Sequence, residues 1–176
     1  MSETHMPIWS LKDPQAALNA PSEFVEFLPI AVYACDVDGR VRWFNQRAAE
    51  LWGRSPSIGD DTELFCGSFK LYDLQGTVVR REATPMAYVL RTGEPVHGRE
   101  AGVERPDGSR IFAMVHIDPI KDADGGLVGA INCFHDTTEL HKAREQIIEG
   151  GAIIRLLNDT APAEIYTTDA EGKLTF

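Results

Sequence analysis

The chain has 176 residues, 43% of them apolar, which supplies one ordinary domain with a real core and is too apolar for a disordered chain. Its formal charge of −10 argues against a nucleic-acid partner, which needs a clustered Lys/Arg face that is missing here. Cys35, Cys66 and Cys133 are odd in number and widely spaced, with no CxxC or Cys/His pattern, so they read as reduced, mostly buried thiols of a cytoplasmic protein and give no metal site.

The N-terminal stretch MSETHMPIWSLKDPQ lacks a basic segment followed by an apolar one, so it does not read as a signal peptide. No apolar run is long enough to span a membrane. Residues 1–21 read as a loose tail. PSEFVEFLP (21–29) predicts a short amphipathic helix with Ser22 as N-cap, Phe24, Phe27 and Leu28 at helical spacing, and Pro29 at its end. AVYACDVDGRVRWFN (31–45) is a strand, an Asp/Gly turn and a second strand. QRAAELWGRSP (46–56) predicts a helix capped by Asn45, with Ala48, Ala49, Leu51 and Trp52 as its packing face and Gly53 as its stop.

Residues 57–84 lack a strong period and read as short helical turns and loops carrying Phe65, Phe69, Leu71 and Tyr72. TPMAYVLRTG (84–93) predicts a helix with Thr84 as N-cap, Pro85 at the first position and Gly93 at the end. VHGREAGVER, SRIFAMVHIDPI and LVGAINCFHD then form three antiparallel strands joined by PDG and KDADGG turns. In the middle strand Ile111, Ala113, Val115 and Ile117 share one face, and Phe112, Met114 and His116 the other. That second face is apolar enough to need a cover, either the 21–29 helix or a partner subunit.

DTTELHKAREQIIEGGAIIRLL opens with Asp136 and Glu139 in capping-box spacing. Leu140, Ala143, Ile147, Gly150, Ile154 and Leu157 then follow at three- and four-residue steps, a coiled-coil seam weakened by Gly150-Gly151. Finally, AEIYTTDAEGKLTF laid over the first hairpin with Gly172 on Gly39 puts Pro162 on Pro29, Tyr166 on Tyr33, Asp169 on Asp36 and Leu174 on Val41. A domain-sized period of this kind predicts a chain cut a few residues into a second copy of its first module. The expected organisation is a tail (1–21), a module (22–137), a coiled-coil-like connector helix (138–160) and a truncated repeat (161–176).

The module resembles the PAS domain family, most closely the PAS modules of bacterial sensor histidine kinases. The resemblance covers residues 22–137 and rests on YACDVDGRVRWFNQRAAELWG, on CGSFKLYDLQGTVVRREATPMAYVLRTGEPV and on ERPDGSRIFAMVHIDPIKDADGGLVGAINCFHDTT. Asp136-Thr137-Thr138 is similar to the family's Asp-Ile-Thr junction between the last strand and a signalling helix, with Thr137 in place of the aliphatic residue.

The resemblance implies an α+β fold, with a five-stranded antiparallel sheet curved around a pocket and short helices on one face. An N-terminal helix and a C-terminal signalling helix flank it. By position it implies a candidate ligand pocket of Tyr33, Cys35, Phe69, Leu71, Val103, Ala113, Val115, Asn132 and Phe134, and signal relay through Asp136 and Thr138. Each pocket residue also has a plain core-packing reading. Asn132 stands apart, because a buried amide must find hydrogen bonds from a ligand, from water or from backbone.

No cofactor is named by these residues. The histidines (5, 97, 116, 135 and 141) avoid the 57–92 stretch where haem-binding relatives carry theirs, and His116 and His135 alternate away from the pocket, which argues against haem. FCGSFKLY offers Cys66 without the rest of the Asn-Cys-Arg-Phe-Leu-Gln signature of flavin-binding relatives, and Cys66 reads as a packing residue. His141, followed by Lys142, reads as a solvated helix-face residue and not as a phospho-acceptor. No catalytic grouping stands out.

The functional expectation is a non-catalytic sensory module of a multidomain signal-transduction protein. The intact protein is expected to be a histidine kinase of a two-component system, with a diguanylate cyclase as alternative output. The expected partners are a second copy of the chain, a small-molecule ligand, and downstream PAS and output domains, with no nucleic acid and no membrane contact from this segment. A ligand-free dimerisation module is the competing reading, and a small curved-sheet enzyme is the third.

Overall fold

The computed structural model describes Leu18, residues 23–148, Thr167–Thr168 and Leu174–Thr175. The chain divides into two compact units, Met1–Thr137 and Thr138–Phe176.

The first unit is built on one antiparallel sheet. Its strands are β1 (Ala31–Asp36), β2 (Val41–Phe44), β3 (Lys70–Tyr72), β4 (Val78–Val79), β5 (Val96–Glu104), β6 (Arg110–Lys121) and β7 (Leu127–Asp136). They lie side by side in the order β2-β1-β7-β6-β5-β3-β4. The helices α1 (Gln46–Trp52) and α2 (Pro85–Thr92) start and stop where the sequence predicts. Asn45 Oδ1 accepts from the Ala48 amide at 3.0 Å, and Thr84 Oγ1 accepts from the Ala87 amide at 3.2 Å. Gly53 and Gly93 close the two helices in left-handed conformations.

The sheet has seven strands where five were expected. The added pair is β3 and β4, in a stretch that lacks helical or strand period in the sequence. Residues 70–72 pair with 102–104, filling the free edge of β5, and 78–79 fold back on 71–72. An edge strand offers unpaired N–H and C=O groups, so three residues suffice to extend the ladder. The turn between β3 and β4 is the same device as two others in the sheet. Asp36, Asp73 and Asp122 each accept, through Oδ1, the amides two and four residues ahead at 2.7–3.1 Å.

Each strand of the middle of the sheet has an inner and an outer face. Ala31, Tyr33, Cys35, Val103, Ile111, Ala113, Ile117, Ala130 and Phe134 form the inner core with Trp52 of α1 and Met86, Val89 and Leu90 of α2. On the outer face Val32, Ala34, Trp43 and Ile120 pack with Leu18, Val25, Leu28 and Ile30.

Residues 23–27 form a 3-10 helix and not the predicted α-helix. With three residues per turn instead of 3.6, the packing stripe runs through Val25 and Leu28, and Phe27 points to solvent at 82% exposure. Ser22 and the Phe24 side chain lie outside the described residues. This cover lies over the β1, β2 and β7 side of the sheet, whereas Phe112, Met114 and His116 on β6 are half-buried.

In the second unit, α3 spans residues 138–148. Leu140 and Ile147 of the predicted seam are 49% and 74% exposed, and Gly150, Ile154 and Leu157 lie outside the described residues. His141, expected to be solvated, has a side chain only 14% exposed, with Nε2 3.4 Å from Glu145 Oε1. Two short strands, β8 (Thr167–Thr168) and β9 (Leu174–Thr175), pair antiparallel.

Candidate functional site

The inner face of the sheet and the two helices enclose a cavity of about 30 Å³. Trp52 forms one end of it. Its ring meets Tyr33 edge-on at 5.1 Å, stacks on Phe134 at 5.7 Å and 23°, and meets Phe44 at 5.6 Å. Aromatic pairs at these separations add to the burial term and fix ring orientation. Gly67 passes so close that an added Cβ would lie 2.5 Å from the Trp52 ring, so this loop needs a residue without a side chain.

Of the candidate pocket residues, Tyr33, Leu71, Val103, Ala113, Val115, Asn132 and Phe134 line the cavity. Two do not. Cys35 is fully buried in the inner core beside the β1–β2 register shift, opposite Ala130, beyond the cavity wall. Phe69 precedes β3, before strand alternation takes hold. It is 44% exposed, with Lys70 Nζ 5.1 Å from its ring centre, on a separate surface groove shared with Val78 and Arg80. Residues outside that candidate set also line the wall, among them Trp52, Phe65, Cys66, Thr84, Met86 and Ile117. Trp52 was legible as part of a packing face, and Met86 sits on the buried side of α2. Cys66, read as a packing residue, faces the cavity.

The polar content of the wall is small and unevenly satisfied. The Tyr33 hydroxyl donates to the Phe65 carbonyl at 3.0 Å. Burial, and then the neighbouring Cys66 and Cys35 sulfurs, push the Tyr33 phenol well above its ordinary range, and burial does the same to the Cys35 thiol. Both therefore stay protonated. Asn132, 3% exposed, has an Oδ1 with no hydrogen-bond partner. Asn45, the other fully buried amide, is completely served: Oδ1 accepts from Val32 and Ala48, and Nδ2 donates to Ile30 and Val25.

Phe65 closes the cavity in an unusual conformation. Among the described residues it is the one non-glycine with a left-handed backbone, at φ 71°. Its amide donates to the Gly39 carbonyl at 2.6 Å, and its ring lies where a Gly39 Cβ would be.

β7 leads from this wall to the candidate relay. Asn132 and Phe134 face inward, and Asp136 is exposed at the strand's end. Thr137 is buried: its amide donates to Phe112 O at 2.8 Å and its hydroxyl donates to Glu100 Oε1 at 2.7 Å. The sequence reading named Asp136 and Thr138, and missed Thr137 as the residue that ties the junction to β5 and β6.

A second polar cluster, also unforeseen, lies on the outer face. Glu104 accepts from the Tyr72 hydroxyl at 2.9 Å, from Arg110 at 2.7–2.8 Å and from Lys70 at 3.1 Å. Arg110 lies 3.9 Å over the Tyr72 ring. The Arg110 guanidinium first, then Tyr72 and Lys70, hold the Glu104 carboxyl down at about 2. This cluster clamps β3, β5 and β6 together. His97 on β5 and His116 on β6 have rings 5.8 Å apart, and His97 Nε2 is 2.8 Å from Asp118. Among the described residues no group of three or more His, Cys, Asp or Glu is placed to hold a metal ion, and no helix is long and apolar enough to cross a membrane.

A family model described as the PAS fold matches residues 25–142. That span is more than half of the chain, and the chain belongs to the PAS family, whose members are sensory modules. No curated protein matches it. Among solved structures, the PAS domain of a protein from Colwellia psychrerythraea has a TM-score of 0.49 at 18% identity, covering 71% of this chain and 96% of that one. The LOV domain of the Erythrobacter litoralis EL346 blue-light activated histidine kinase scores 0.47 at 19% identity over 63% and 98%. An RNA-binding light-oxygen-voltage receptor scores 0.53 at 17% identity over 92% of this chain and 42% of that one. At these identities the likeness is one of fold.

Proposed function

We propose that this chain is the sensory part of a cytoplasmic bacterial signalling protein, a sensor histidine kinase by the resemblance of its middle segments. In this reading a small ligand in the inner cavity shifts the population of two sheet arrangements, and β7 passes that shift to α3. The observation that carries it is the path of one strand. Asn132 and Phe134 line the cavity, and three residues after Phe134 the chain reaches the buried Thr137, anchored to Glu100 and Phe112. The relay residues are Asp136 and Thr138, which flank that anchor.

The same reading takes residues 161–176 as the opening of a second copy. The Thr168–Leu174 pairing falls on Cys35–Val41 at the offset that superimposes Gly172 on Gly39. A downstream PAS domain and output domain are its expected partners, together with a second copy of the chain.

The competing reading is an association module that needs no ligand. The small cavity favours it, since about 30 Å³ in this conformation holds little more than a water molecule. A thermal-shift screen of small uncharged compounds separates the two. Stabilisation by some of them, without change in native mass beyond the compound, supports the sensor. A flat screen from a protein that runs as a tight dimer overturns it.

A further inference from the structure

The inner cavity presents one unmet demand. Asn132 lines the space, and its Oδ1 is buried without a partner. The neighbouring Tyr33 hydroxyl does not serve it, because its hydrogen is used on Phe65 O. The oxygen is left for the cavity.

An unpartnered carbonyl in an apolar setting keeps its desolvation cost unrepaid, so it is a standing preference for a donor. Water answers it poorly. A buried water is held by two to four polar partners, and here the other polar wall groups are engaged: the Tyr33 hydroxyl with Phe65, and Thr84 Oγ1 with Arg81 O and the Ala87 amide. The rest of the wall is aromatic and aliphatic, with Cys66 and Met86 as its soft parts, and holds no Asp, Glu, Lys, Arg or His.

We propose that the cavity selects a small, uncharged, largely apolar molecule that carries one N–H or O–H donor for Asn132 Oδ1. A charged ligand would be stripped of water with nothing to pair with it, which a low-dielectric pocket punishes heavily. A purely apolar ligand would seal the carbonyl off without a partner. Admission requires the wall to widen. Phe65 is the part set to move, because its left-handed backbone is held by two hydrogen bonds and the gap at Gly39, so releasing it relieves strain. This inference rests on the sensory reading of the same cavity.

The test uses three probes of like size against the whole chain: phenol, toluene and benzoate. Affinities come from titration followed by the side-chain amide resonances of Asn132 and by calorimetry. Phenol is expected to bind about tenfold or more tighter than toluene, benzoate not at all, and Asn132→Leu to abolish or reverse the phenol preference. Equal binding of phenol and toluene overturns the donor rule while leaving the cavity as a ligand site. Binding of benzoate overturns the charge rule. Binding of none of the three overturns the inference and the ligand-sensing reading together. The wild-type comparison decides the donor rule whether or not the variant folds.

Discussion

Replacing Asn45 by alanine removes four hydrogen bonds from a side chain with no solvent exposure, and its cost can be assembled from the structure. Oδ1 serves two donors at 3.0 Å, the Ala48 amide at the start of α1 and the Val32 amide in β1. Loss of the helix cap costs about 1 kcal/mol. The Val32 amide would be left buried without that partner, at about 1 kcal/mol or more. Nδ2 bridges the Ile30 and Val25 carbonyls at 2.9 and 3.2 Å, holding the 3-10 segment against the sheet, and its loss adds about another 1 kcal/mol. The expected total is about 3 kcal/mol, a large share of the stability of a small domain. Urea unfolding followed by tryptophan fluorescence reads it as a lower midpoint at unchanged slope, and thermal unfolding as a drop of about 10 °C. A loss below about 1 kcal/mol would refute the premise that this amide joins β1, α1 and the outer-face cover into one unit.

Other perturbations act on neighbouring parts of the structure. Asn132→Leu removes an amide with one unmet bond, so the ligand-free variant is expected to be at least as stable as wild type, in contrast to Asn45→Ala; a loss above about 1 kcal/mol in the same urea assay would mean that Oδ1 has a partner in solution. Gly39→Ala puts a Cβ 2.4 Å from the Phe65 ring at a backbone φ of 86°. It should cost more than about 1 kcal/mol and speed alkylation of Cys66, both measurable on one preparation. Thr137→Val keeps the shape of the junction but deletes the hydroxyl donated to Glu100, and should lower stability by about 1–2 kcal/mol in chemical denaturation. Glu104 has a folded-state value near 2 against an ordinary 4.5, so its contribution is present above about pH 4.5 and is lost as pH falls toward 2. The stability gap between wild type and Glu104→Gln should therefore shrink over that window, and a gap that widens on acidification contradicts the clamp.

Strands and helices with a clean period were legible in the sequence down to their caps, because Asn45, Gly53, Thr84 and Gly93 act locally. The β3–β4 pair was not, because the three residues of β3 take their place by pairing with the β5 edge and the two of β4 by pairing with β3. A signal existed: DLQG at 73–76 repeats the Asp-x-x-Gly spacing of DVDG and DADG, the two turns that were read correctly. Position carried over from the resemblance names seven residues that line the cavity, but it does not say where along a strand the cavity ends, and Cys35 lies beyond the wall, nor where β3 begins, and Phe69 lies before it. The Phe65 closure depends on a single left-handed residue and on contacts with Gly39 and Tyr33 far away in sequence, and the Glu104 clamp needs Lys70 and Tyr72 of β3 beside its hairpin partner Arg110, so neither leaves a pattern in sequence. Asn132 was legible as a buried amide in need of partners, whereas its unmet oxygen and the full satisfaction of Asn45 emerge only from three-dimensional placement.

The central claim is that occupancy of the cavity is felt at the end of β7 and in the helix that follows. Hydrogen exchange on the whole chain, with and without saturating phenol, measures this most directly. Protection is expected to change at residues 132–137 and onward through 138–148, with Asp136→Ala confining the change to the sheet. Protection that changes only around Phe65 and Cys66, with 137–148 unaffected in the wild type, would contradict it.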